Sequence, residues 1–126
     1  MMKLENVGVV IASRELTLDR NQKVEVLIGK PEACPDGVDW YCPYQKHGVG
    51  LEHVKYAMGV DSVSALIRAL TMVGAELYCS EEYENGRLTW DCGAVKGDLG
   101  FPVPENIRDV LPASQSGDQN EGKQEG

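Results

Sequence analysis

The chain has 126 residues, a formal net charge of −8, and 42% hydrophobic against 25% charged residues. That is a single domain of ordinary globular composition, large enough to bury a core without disulfide or metal staples. An acidic chain with no run of Lys and Arg argues against phosphate-contacting nucleic-acid binding, and no stretch nears the roughly 18 apolar residues of a membrane span.

Twelve of the twenty acidic residues lie after residue 60, but only five of the twelve basic ones. Two readings of that excess stay open: solubility, or a surface complementary to a basic partner, which speeds association more than it tightens binding. The opening "MMKLENVGVVIASRELTL" lacks the long apolar segment and cleavage site of a signal peptide. A cytoplasmic protein is therefore expected, with Cys34, Cys42, Cys79 and Cys92 as reduced thiols.

In chain order, Val7 to Leu18 reads as a strand, "DRNQK" as a polar turn, and "VEVLIG" as a second strand with Val24, Val26 and Ile28 at alternate positions. The two make a hairpin. "KPEACPDG" then breaks the chain, and "VDWYCPYQKHG" predicts a third strand with Trp40, Cys42 and Tyr44 on one face and Tyr41, Pro43 and Gln45 on the other. Pro43 cannot donate to a sheet ladder, so this strand lies at an edge, or its proline at a bulge or non-donating position. Gly48 and Gly50 end it.

"DSVSALIRALTMVGAELY" predicts the main helix, capped by Asp61 or Ser62, with Val63, Leu66, Ile67, Leu70, Val73 and Leu77 on one face. Gly74 inside it implies close approach to a neighbouring strand, since glycine costs about 1 kcal/mol of helix propensity. "CSEEYENG" reads as an acidic connection and "RLTWDC" as a fourth strand. Pro104 to Leu111 can form a terminal helical turn, and residues 112–126, without a large apolar side chain, should be disordered. The expected architecture is α+β: one domain over residues 1–111, in the order β-β-β-α-β, an antiparallel meander of about four strands with one long helix packed on one face.

The chemistry is sparse. Cys34, Cys42, His47 and His53 fall within twenty residues but lack the tight Cys-x2–4-Cys knuckle of structural zinc sites, and Cys42 between aromatics reads as a small buried hydrophobe. No Cys-x-x-Cys redox motif occurs, although Cys79 and Cys92 could be brought close enough for a facultative disulfide. His47 and His53 both fall in a glycine-bearing connection, so a Cys42–His47 dyad has little behind it. No catalytic residue and no cofactor is assigned. Glu81, Glu82 and Glu84 form an exposed run, and with Tyr41 and Tyr83, both expected outside, they make interface-like acidic and aromatic material.

The motifs "VIASRELTL", "IGKPEACPDGVDWYCPYQ", "GVDSVSALIRALTMVGAELY" and "GDLGFPVP" together resemble a family of small uncharacterised bacterial proteins, a domain of unknown function, over about residues 7–104. The resemblance implies a stand-alone α+β domain and brings no activity, substrate or catalytic residue with it. In general style the chain is also similar to small acidic immunity proteins that neutralise basic toxins. The leading expectation is thus a non-enzymatic protein-binding domain, immunity-like or accessory, using Tyr41, Glu81, Glu82, Tyr83 and Glu84, with a protein partner of unspecified identity. The alternative is a small-molecule or metal-binding domain centred on Cys42, His47 and His53.

Overall fold

The computed structural model describes residues 2–103. The expected turn at Pro104 to Leu111 and the expected tail from residue 112 lie outside them. Chain order runs β1 (Val10–Leu18), β2 (Gln22–Gly29), β3 (Glu32–Ala33), β4 (Trp40–His47), β5 (Lys55–Gly59), α1 (Ser62–Tyr78), α2 (Glu81–Glu84) and β6 (Leu88–Thr89). The class is α+β, with an antiparallel sheet and one main helix.

Among the described residues six strands stand where about four were expected. The two additions are β3, which pairs with the start of β4, and β5, whose five residues "KYAMG" follow the glycine-bearing connection. The expected fourth strand shrinks to the two residues of β6, which close the far edge against β1. The β1–β2 hairpin forms as expected, around a turn where Asp19 and Arg20 take positive φ values of 53° and 75°.

β4 is an interior strand rather than an edge. β2 and β3 lie on one side of it and β5 on the other. Pro43 is tolerated because it falls between the stretches of β4 that pair with β2 and with β3. Its ring packs over Gly29, where a side chain would strike Pro43 Cγ at 2.7 Å and the crossing backbone of Val7.

Period-two alternation and the pairing register decide what lies under the helix. Leu16 sits opposite Val24, Val26 opposite both Arg14 and Lys46, Ile28 opposite Tyr44, and Cys42 opposite Ala57. These rows share one face, and α1 buries it with Ala65, Ala69, Val73 and Leu77. The opposite face presents Lys23, Glu25, Glu15 and Met58 to solvent. Asp61 is the helix cap, its carboxylate accepting from the Ser64 amide at 2.7 Å.

Gly74 faces not a strand but the segment after β6. A side chain there would collide with the Pro102 carbonyl and come within 3.3 Å of Phe101 Cβ. That segment is pinned at several points: Leu99 donates its amide to Tyr78 Oη at 2.9 Å, and Tyr83 Oη donates to the Gly97 carbonyl at 2.8 Å. The Arg14 guanidinium donates to the Gly100 carbonyl at 2.7 Å and stacks over Trp90 and Phe101.

Candidate binding cleft

On the covered face the row Trp40, Cys42, Tyr44 continues to Lys46, so a lysine follows three core positions into the interior. Lys46 is the one charged residue among the buried set of the described residues, 7% exposed. The register places Lys55 directly opposite Tyr44, on the same face. Glu76, three residues after Val73 and seven after Ala69 in α1, comes down over all three.

Glu76 is thus a shared counter-ion. Lys46 Nζ lies 2.8 Å from Oε1 and Lys55 Nζ 3.2 Å from Oε2, while the Tyr44 hydroxyl donates to Oε2 at 2.9 Å. Lys46 therefore faces Oε1 as a close ion pair, whereas the Tyr44 hydroxyl makes a directed hydrogen bond to Oε2. Burial pushes the Glu76 carboxyl up, but Lys46 foremost, then Tyr44 and Lys55, more than offset this and hold it below the usual range. Burial also pushes the Tyr44 phenol up, reinforced by the Glu76 charge.

Beside this network a cleft of about 670 Å³ opens at the β5 edge, lined by Tyr44, His53, Lys55, Tyr56, Met72 and Glu76 together with Met2, Lys3, Leu4 and Val54. Its size lies in the range of small-ligand pockets, about 300–1,000 Å³. Hollows of about 170 Å³ under Phe101 and about 280 Å³ beneath residues 3–8 are smaller. The cleft's character is a mainly apolar wall with a few convergent polar groups.

The residues singled out from sequence are distributed differently. Cys42 is fully buried and its thiol, pushed by burial up to about 11, points at the Gly29 carbonyl. His47 belongs to β4 rather than to the connection, and its Nδ1 lies 3.5 Å from Glu52. His53 alone of the three lines the cleft. Among the described residues no three His, Cys, Asp or Glu side chains are placed to hold a metal ion. Cys79 and Cys92 are free, exposed thiols.

The acidic and aromatic set is likewise divided. Glu81, Glu82 and Glu84 form the short helix α2, capped by Ser80, instead of an irregular connection. Tyr83, expected outside, is buried at 7%, edge-on to Tyr78 at 5.1 Å between ring centroids, because α2 turns it back onto the core. Tyr41 is half-buried on β4 beside Tyr56, whereas α2 packs near β6 at the other edge of the sheet.

Lys46 was the missed signal. Extending the alternation of Trp40, Cys42 and Tyr44 by one more step predicts a buried ammonium that requires a carboxylate, and α1 offers Glu76 as its only acidic residue.

No helix among the described residues is long and apolar enough to cross a membrane. Neither curated proteins nor solved structures give a match to the chain. One family model, described as Domain of unknown function (DUF6968), matches residues 12–103, which run from within β1 to the segment over Gly74, and the chain belongs to that family.

Proposed function

We propose that this domain binds a small molecule in the cleft at the β5 edge, and that it works by binding rather than by catalysis. The observation that carries this reading is the pairing of an apolar wall (Met72, Val54, Leu4) with a polar floor (the Tyr44 hydroxyl and the charged Lys55 and Glu76) in a hollow of about 670 Å³. The small-molecule alternative drawn from sequence is kept, and its centre moves from Cys42 and His47 to these residues. The test is mass spectrometry of small molecules released from the purified full chain. Met72 is 42% exposed, so Met72→Trp can fill the apolar half without disturbing the core. A bound molecule lost in that variant supports the reading, and one retained at full stoichiometry overturns it.

A second reading, an immunity-like or accessory protein-binding domain, is favoured by the exposure of Glu81 and Glu84 on α2 in a chain of net charge −8. Its partner is a basic protein held by salt-sensitive contacts around Glu81, Glu82 and Glu84, with Tyr41 as a separate contact and Tyr83 as internal support. Reversal of those three glutamates together abolishes capture of such a partner; unchanged capture would remove α2 from the interface.

A further inference from the structure

We infer that the ligand of this cleft is an amphipathic monoanion, a carboxylate or a group of like charge on an apolar body, whose head lies against Lys55 and whose tail lies along Met72, Val54 and Leu4. The inference rests on the cleft reading above and adds the ligand's chemical class. Its basis is a local inversion of charge. The whole chain carries −8, yet the cleft and the network beneath it hold three ammonium groups, Lys3, Lys46 and Lys55, against the single carboxylate of Glu76.

Donor capacity points the same way. Each ammonium has three N–H donors, and the Glu76 carboxylate is already ion-paired with Lys46 and Lys55 and accepts from the Tyr44 hydroxyl. Lys46 is enclosed, its side chain 8% exposed, and is committed to Glu76; Lys55, at 28%, faces the cleft with donors to spare. An incoming anion therefore meets a preformed, partly desolvated cation, where charge-assisted bonds are strong. An incoming ammonium meets Lys55 first, and the one carboxylate it could pair with is already shared by two lysines. The aliphatic wall adds affinity for each buried methylene but no orientation, which leaves the head group to fix the pose.

The experiment is calorimetric titration of the full chain at neutral pH and low salt with octanoate, 1-octanol and octylammonium, which share one tail. Octanoate is expected to bind about tenfold or more tighter than either of the others, the worth of one charge-assisted hydrogen bond. Lys55→Gln is expected to remove that advantage, so that octanoate binds the variant no more tightly than octanol does, and Met72→Trp to weaken octanoate and octanol alike. Octanol or octylammonium binding as tightly as octanoate would overturn the anion assignment and leave the cleft standing. Failure of all three to bind would overturn the cleft reading together with it. Because octanol binding and thermal unfolding also report the fold of Lys55→Gln, a misfolded variant is recognised as such.

Discussion

Replacing Glu76 by Gln tests the network on which the cleft is built. The substitution keeps an oxygen to accept from Tyr44 but removes the charge shared by Lys46 and Lys55, leaving an ammonium whose side chain is 8% exposed without a counter-ion. Losing one partner of a buried pair costs about 3–5 kcal/mol; because Glu76 is 22% exposed, the low end, about 3 kcal/mol, applies. With a urea slope of about 1–1.5 kcal/mol/M for a domain of this size, the unfolding midpoint falls by about 2–3 M. The effect has a pH signature. The Glu76 carboxyl is held below its ordinary value of 4.5, so its contribution is complete above that value and is lost as pH falls through the lower folded value. The gap between wild type and Glu76→Gln is therefore widest near neutrality and closes in acid. In a double-mutant cycle with Lys46→Met, the pair should couple by about 2 kcal/mol. A midpoint shift below about 0.4 M at pH 7, or a gap that does not narrow in acid, would refute this account of the network.

Other outcomes follow from the contacts around it. Gly74→Ala gains about 1 kcal/mol of helix propensity but drives a carbon into the Pro102 carbonyl, so overpacking of about 1–3 kcal/mol prevails and thermal unfolding shows a less stable protein. Tyr78→Phe strips the buried Leu99 amide of its acceptor at a cost of about 1–3 kcal/mol, and hydrogen exchange at Leu99 accelerates more than that at the β1–β2 ladder. Thiol labelling at pH 8 separates the cysteines: exposed Cys79 and Cys92 react first, whereas Cys42, buried and raised to about 11, reacts only on unfolding. Rapid labelling of Cys42 in the native protein would contradict its place under α1.

The parts of this fold legible in sequence were those governed by local period. Alternation along β2 and β4, the span of α1 and its Asp61 cap read directly from the residues that form them, but the buried face of α1 did not: Val63 and Ile67, expected inward, are 61% and 55% exposed, and Ala65 and Ala69 lie against the sheet instead, because the small residues allow the helix to sit close. β5 did not, because five residues after two glycines carry too short a pattern to distinguish from a connection. Tyr83 was misplaced for a related reason: beside three glutamates it looks solvated, and only the Ser80 cap and the turn of α2 aim its ring at Tyr78. The cleft depends on relations longer in range still. Lys46 reaches the interior by alternation, but its meeting with Lys55 needs the β4–β5 register, and Glu76 enters from a helix thirty residues later. A single charged position on an apolar strand face was the available clue, and it predicted a partner without naming it.

The methionines offer the most direct measurement of where a ligand goes. Met2 and Met72 line the cleft, while Met58 sits on the opposite face of the sheet, opposite Tyr41. In a methyl NMR titration of the full chain with octanoate, the account predicts that the Met72 and Met2 signals shift in a saturable way and that Met58 stays in place. A titration in which Met58 alone responds, or in which Met72 does not move, would contradict the claim that the β5-edge cleft is the binding site of this domain.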